Sequence, residues 1–293
     1  MEIDWKDYRV VNGEKFKIKK YSTSAPFKTP DKEELKKRLI EDITEIASLQ
    51  DKLYAESRQS LLIVLQGMDS AGKDSLIKHI MSGVNPQGVD VNSFKHPSDV
   101  ELEHDYLWRH VRKLPEKGHI GIFNRSHYEN VLISKVHPEI VLAERIKGID
   151  AVHKVDKKFW EKRYRQIVTF EKTILQNDIT TVKIFLHLSK EEQRQRFLAR
   201  IENKRKHWKF SPSDIAERKC WTDYQKAYEE AIRRTSTRFA PWYVVPADDK
   251  WFTQLLCGKI VMHTLKKMNP NFPPVDRGEA KLMSQAKAKL LHE

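Results

Sequence analysis

The chain has 293 residues, 39% of them hydrophobic, and a formal net charge of +13 from 54 Lys and Arg against 41 Asp and Glu. That length and apolar content suit one large globular body with a real core, and exclude a disordered polyelectrolyte. The longest unbroken apolar run, Leu61 to Leu65, is too short to span a membrane, and Met1-Glu2-Ile3-Asp4-Trp5 lacks the basic and apolar parts of a signal peptide, so the cytoplasm is the expected location.

The positive charge calls for a polyanionic partner; nucleic acid, a membrane surface and polyphosphate all qualify until the cations are placed. Cys220 and Cys257 stand alone, with no His or Cys nearby at ligand spacing, so neither a disulfide framework nor a zinc site is expected and both are read as core thiols.

In chain order, residues 1 to about 32 carry turn residues and scattered aromatics, including Lys15 to Tyr21 and Pro26 to Pro30, and read as an arm laid over the body. From Asp31 to about Glu56, Leu35, Leu39, Ile43, Ile46, Leu49 and Leu53 recur every three or four residues, which predicts a long packing helix. The division expected is an arm and helix over 1–57, a core over 58–268 and a tail helix over 269–293.

The run Leu61-Leu62-Ile63-Val64-Leu65 then breaks into Gln66-Gly67-Met68-Asp69-Ser70-Ala71-Gly72-Lys73-Asp74-Ser75 and resumes with helical apolar spacing. A strand, a loop of the form G-x-x-x-x-G-K and a helix make a phosphate-binding loop. Gly67 and Gly72 let backbone N–H groups approach a phosphate, Lys73 covers its outer oxygens, and the helix start adds its dipole. The pattern asks for Ser or Thr after the lysine to hold Mg²⁺, and Asp74 stands there instead. Asp69 is the preferred metal ligand, because a bare carboxylate among phosphates would repel them; the competing reading is a loop carboxylate that only caps the backbone.

Asn85-Pro86-Gln87-Gly88 predicts a turn before a short strand over 89–94, and Ser98 to Glu101 a capping box opening a helix through Tyr106, Trp108 and Val111. A second buried strand, Gly118 to Phe123, ends in the polar cluster Asn124-Arg125-Ser126-His127-Tyr128-Glu129. In an open α/β sheet that end faces the ligand crevice, so Arg125 is expected at the phosphates rather than in a purely structural ion pair. Helices are expected over 138–147 and 156–176, a third strand over 181–188, and a helix from a capping box at Ser189.

Residues 190 to 219 hold ten Lys or Arg against five Asp or Glu. They fall where small kinases with this loop carry a mobile lid, expected here over about 194–218, and Arg200, Lys204, Arg205, Lys206 and Lys209 exceed what one nucleoside triphosphate needs. A long phosphate chain would use them. A helix over 213–234, a last strand over 242–245, an aspartate-capped helix to Met268 and an Ala/Lys/Leu-rich tail from Glu279 complete the reading. The fold class expected is α/β, a three-layer α/β/α sandwich with a mostly parallel sheet, P-loop kinase-like with a helical lid.

The motifs together resemble the polyphosphate kinase 2 family, and within it the branch acting on both nucleoside mono- and diphosphates. The resemblance covers nearly the whole chain and rests on G-M-D-S-A-G-K-D (67–74), N-P-Q-G (85–88), E-H-D-Y-L-W-R-H (103–110), G-I-F-N-R-S-H-Y-E-N-V-L (121–132), F-L-H-L-S-K-E-E-Q (185–193) and P-A-D-D-K-W-F (246–252). It implies Mg²⁺-dependent, reversible transfer of the terminal phosphate of inorganic polyphosphate to AMP and ADP, guanine nucleotides being left open, in a homodimer or homotetramer. By that resemblance Asp69, Lys73 and Arg125 are catalytic and Arg109, Arg125 and Glu129 bind the acceptor with Gly67 and Gly72. Asp69 and Glu129 hold the metal, and Lys73, Lys78, Arg200, Lys204, Arg205, Lys206 and Lys209 guide polyphosphate. Family members that prefer diphosphates read D-R-S-x-Y-N where this chain has Asn124 to Glu129. The competing readings are an ATP-dependent nucleotide kinase and a nucleic-acid-binding P-loop protein; no nucleic-acid signature and no membrane partner is expected.

Overall fold

The structure is a computed structural model that describes residues 3–26 and 32–292, the side chains of residues 32, 33 and 35 excepted. The expected turns through Pro30, the helix start at Asp31 and the packing of Leu35 therefore lie outside the described residues.

The arm contributes β1 (Arg9–Val10) and is followed by α1 (Lys32–Glu56), which ends at Ser57 with φ 49°. Next come β2 (Ser60–Gly67), α2 (Lys73–Ile80), β3 (Val89–Ser93), α3 (Asp99–Leu102), α4 (Trp108–Val111), β4 (Ile120–Asn124), α5 (Ile133–Val136) and α6 (Lys157–Leu175). The second half holds β5 (Ile179–His187), α7 (Lys190–Glu202), α8 (Pro212–Glu217), α9 (Trp221–Thr235), β6 (Trp242–Pro246), α10 (Lys250–Met268) and α11 (Arg277–Leu290).

The strands form a six-stranded sheet in the order β1-β6-β5-β2-β4-β3, parallel except where β1 pairs antiparallel with β6. Alternation along each strand divides the core into two layers. Leu61, Ile63 and Leu65 of β2 face one cluster with α1, α2 and α10, while Leu62 and Val64 face the other with α6 and α9. All eight residues of β2 are buried, each large apolar side chain contributing roughly 1.5–3 kcal/mol. This is the expected α/β/α sandwich. Because β4 lies on one side of β2 and β5 on the other, the loop after β2 opens at the point where the sheet order reverses, where ligands bind in such folds.

Several local expectations differ from the structure. The arm adds a sheet strand, Arg9 opposite Tyr243 and Val10 opposite Trp242, too short to leave a periodic signal. The helix expected from Ser98 through Val111 is split in two, because Asp105 Oδ1 accepts the Leu107 N–H at 2.9 Å and so competes with the helical ladder. Residues Pro138–Glu144 form a 3₁₀ helix stopped by Arg145 at φ 49°. The helix expected over 213–234 breaks at the 3₁₀ turn Arg218–Cys220, which separates α8 from α9. Ser189 makes only half a capping box: it accepts the Glu192 N–H, while Glu192 pairs with Arg196 instead. Asp249 caps α10 as expected. Cys257 is a core thiol, whereas Cys220 is half-buried. Among the described residues no helix is long and apolar enough to cross a membrane.

Candidate active site

Gly72, at φ 104°, turns the loop after β2 into the N-terminus of α2, a conformation open to glycine and strained for other residues. Lys73 follows at once. It is buried rather than exposed, and its Nζ donates to Gly67 O at 2.7 Å and lies 3.4 Å from Met68 O. Burial lowers its pKa, with Asp69 pulling in the opposite direction.

Asp69 Oδ1 accepts from Arg125 Nη2 at 2.8 Å, so the residue after β4 does meet the phosphate loop. Arg125 has φ 61°, a left-handed backbone unusual for a bulky residue, and its N–H is held by Leu65 O at 3.2 Å. Such strain costs on the order of 1–3 kcal/mol and is found where a side chain must be aimed. Although burial opposes its charge, Glu129 and Asp69 hold Arg125 above its ordinary pKa. Glu129 is the reverse case: burial raises its carboxyl, and Arg125 and Lys73 offset this only in part.

Arg109, Arg125 and Glu129 line one cavity of about 230 Å³ together with Phe94, Tyr106 and Ile133. Arg109 is set there by Glu101 at 3.1 Å and Lys95 O at 2.6 Å, its guanidinium 5.2 Å from the Phe94 ring. Among the described residues, three polar atoms of the cavity wall are buried without a protein partner: Tyr106 OH, Arg109 Nε and His110 Nε2. Orphaned groups of this kind are costly unless a ligand or water satisfies them.

The cationic stretch also meets the loop and its helix. Arg200 Nη2 donates to Ser70 Oγ at 2.6 Å and Nη1 to Asp214 at 2.9 Å. Lys209 reaches Asp74 Oδ2 at 3.1 Å, while Asn124 Nδ2 donates to Asp74 Oδ1 at 2.8 Å. Asp74, the departure from the loop pattern, thus links α2 to β4 and to the 3₁₀ turn Lys204–Lys209. Lys204, Arg205 and Lys206 sit in an exposed 3₁₀ turn, and Lys78 is on the exposed face of α2; the structure does not bring these four into the cavity.

Two residues that the sequence reading did not assign to the site carry much of its framework. Arg196 was counted there only as one more cation. Its guanidinium donates to Ser70 O, Ala71 O, Ala247 O and Asp248 O, and Gln193 Nε2 donates to Asp69 O at 3.0 Å. α7 therefore fixes the loop's backbone. The only signal in the sequence is that both sit on the first turns of the helix after β5.

A family model described as "Polyphosphate kinase 2 (PPK2)" matches residues 29–273. An "ADP-polyphosphate phosphotransferase" of Rhodopseudomonas palustris is 44% identical over 99% of this chain and 100% of its own. An "AMP/ADP-polyphosphate phosphotransferase" of Meiothermus ruber is 40% identical over 95% of this chain and 99% of its own. Among solved structures, polyphosphate kinase 2 from Arthrobacter aurescens TC1 superposes with a TM-score of 0.84 at 36% identity, covering 95% of both chains. With the family match spanning most of the sequence and similarity of this order running nearly end to end, the chain belongs to the polyphosphate kinase 2 family.

Proposed function

We propose that the chain transfers the terminal phosphate of inorganic polyphosphate to AMP and to ADP, and runs the reverse transfer when concentrations favour it. The observation that carries this reading is the position of Arg125. It lines the cavity and also touches Asp69 of the phosphate loop at 2.8 Å, so an acceptor seated in the cavity ends its phosphates at the loop. The donor chain would run along the cations that reach the loop at Ser70 and its helix at Asp74. Phosphoryl transfer needs positioning and preorganised charge more than covalent chemistry, and Lys73 and Arg125 supply positive charge on either side of the transferred group. Orphaned Tyr106, Arg109 and His110 atoms are the groups an acceptor nucleotide would satisfy.

A divalent cation fits the donor set: Asp69 and Glu129 offer hard carboxylate oxygens, and burial leaves Glu129 short of positive charge. Mg²⁺ held there would offset the charge of the phosphates. Leu282, Met283, Leu290 and Leu291, exposed on or just beyond α11, support assembly into a homodimer or homotetramer.

The test is to incubate purified chain with Mg²⁺ and AMP, ADP, GMP or GDP, with polyphosphate or ATP as donor, and resolve the nucleotides. AMP should pass to ADP and then ATP with polyphosphate as donor. Phosphorylation with ATP but not with polyphosphate would overturn the reading in favour of an ordinary nucleotide kinase.

Acceptor choice should depend on Glu129. A monophosphate leaves room near the loop that metal and its waters can fill, and Glu129 is placed to hold them; a carboxylate that merely capped the following turn would not discriminate. Glu129→Asn is expected to lower activity on AMP about tenfold more than on ADP, equivalent to ~1.4 kcal/mol of transition-state stabilisation. An AMP-to-ADP activity ratio equal to the parent's across Mg²⁺ concentrations would remove Glu129 from this role.

Lys206→Ala combined with Lys209→Ala should raise the KM for polyphosphate several-fold, more for long chains than short, with the nucleotide KM little changed. Exposed charge contacts of ~0.2–1 kcal/mol each set that scale. Equal weakening of both substrates would argue against a donor lid.

A further inference from the structure

We propose that His137, Glu217 and Cys220 form a binding site for a zinc-class divalent metal ion at the root of the lid, separate from the carboxylate pair beside the phosphate loop. One ligand atom from each, an imidazole nitrogen, a carboxylate oxygen and a thiol sulfur, lie within 4.8 Å of one another, and all three side chains are half-buried and so reachable from solvent. Glu217 closes α8 and Cys220 closes the 3₁₀ turn that follows, and their three-residue spacing puts both on one face of the chain. His137 comes from a different part of the fold, the end of α5. The sequence hides the site because its third member is 80 residues away from Glu217.

The surroundings are those of a ligand set held in place. Glu217 Oε2 lies 3.0 Å from His137 Nε2 and accepts from Tyr224 OH at 2.7 Å. Glu139 Oε1 lies 3.5 Å from the other ring nitrogen, Nδ1. A carboxylate facing the far nitrogen is the arrangement that turns Nε2 toward a metal. On binding, the imidazole carries its proton on Nδ1 toward Glu139, the Cys220 thiol releases its proton to solvent, and Nε2, Sγ and a Glu217 oxygen donate to the metal, water completing a tetrahedron. Metal–ligand lengths of about 2.0–2.3 Å require the cluster to contract by roughly 1 Å, within reach of half-buried side chains. Thiolate and imidazole select Zn²⁺ or Co²⁺ over Mg²⁺, which takes an octahedron of oxygens, so millimolar Mg²⁺ should not compete.

Glu217 and Cys220 flank the break between α8 and α9 through which the lid joins the body, whereas His137 belongs to the body. A metal at this point ties the lid's root to α5. Its expected consequence is slower opening of α8, a regulatory input independent of the transfer site.

The probe is Co²⁺, added to the full chain with excess Mg²⁺ present. The parent should bind one Co²⁺ per chain with a thiolate-to-cobalt charge-transfer band in the near ultraviolet. That band should vanish in Cys220→Ser, and its half-saturation should rise at least tenfold in His137→Ala and in Glu217→Gln. Zn²⁺ should displace the cobalt, raise the melting temperature of the parent but not of Cys220→Ser, and slow hydrogen exchange across 212–220. Each variant's metal-free melting curve shows whether it is folded. Absence of the band in the folded parent, or its persistence in folded Cys220→Ser, would overturn the site; a band unchanged in His137→Ala would overturn the three-residue assignment. The phosphate-transfer assay plays no part, so failure here leaves the proposed activity standing, and the reverse.

Discussion

Lys73→Met is expected to lower kcat by about 10²–10³-fold, the usual cost of losing one preorganised electrostatic contact to a developing charge, with the fold retained. Methionine matches the length of the lysine stem, so the buried volume is kept. What disappears is an ammonium bonded to Gly67 O and near Met68 O, and those carbonyls lose a donor worth about 1 kcal/mol. Asp69→Asn should fall in the same range by a different route, because the amide cannot hold the Arg125 guanidinium as a charged pair. The main-chain bond from Gln193 to Asp69 O survives that change, so the loop should keep its path. The measurement is kcat with polyphosphate beside a melting curve for each variant. Near-parent kcat with normal melting in either would show that the loop does not carry the transfer.

The effect of these loop residues was legible in the sequence because each element of it is local. Five consecutive apolar residues, two glycines at fixed offset and a lysine at the start of a helix specify strand, turn and anion site within 15 residues. The polar cluster after β4 was legible for a similar reason: an apolar strand ending in Asn124 and Arg125 places those side chains at the sheet's ligand-binding end whatever its neighbours are. What one sequence cannot state is who pairs with whom. Asp74 reads as a lost metal ligand, yet its partners are Asn124, 50 residues on, and Lys209, 135 residues on. Arg196 reads as one more lid cation, yet it spends its guanidinium on four backbone carbonyls, and only Arg200 and Lys209 of the expected polyphosphate cations on the lid touch the loop helix or its approach. Cys220 reads as inert for the same reason: spacing along the chain carries no information about His137.

The largest effect on stability is expected at a residue that no motif marks. Lys183 interrupts the apolar run of β5 and is fully buried. Its three ammonium protons are matched by three acceptors, Glu171 Oε2 at 2.6 Å, Thr235 O at 2.8 Å and Tyr128 OH at 3.0 Å, while Tyr128 OH donates to Glu171 Oε1 at 2.7 Å. The cluster sits directly behind the segment that lines the cavity, since Tyr128 neighbours Glu129. Lys183→Met leaves Glu171 as a carboxylate in the core with the Tyr128 hydroxyl and, 3.6 Å away, the buried His127 ring, and breaking a buried pair from one side costs about 3–5 kcal/mol, a large share of the 5–15 kcal/mol that folded proteins possess. The dependence on pH distinguishes this from simple loss of packing. In the parent, burial acts to raise the Glu171 carboxyl, but Lys183 and, after it, His127 together more than offset this and the group lies below its ordinary value. A depressed folded pKa contributes stability above the unfolded value of about 4.3, lost as pH falls through the folded one. In Lys183→Met, burial, the largest influence on Glu171, acts with only His127 left to oppose it and is expected to raise the folded pKa, so the sign reverses: stability is present below the unfolded value and lost as pH rises through the folded one. The deficit of the variant, measured by urea unfolding, should therefore widen from about pH 4 to pH 7. Lys183→Met combined with Glu171→Gln removes the stranded charge, and should recover stability at neutral pH and abolish that widening. A deficit of less than about 1 kcal/mol, or one that stays constant between those pH values, would mean that the pair contributes packing and not charge to the core.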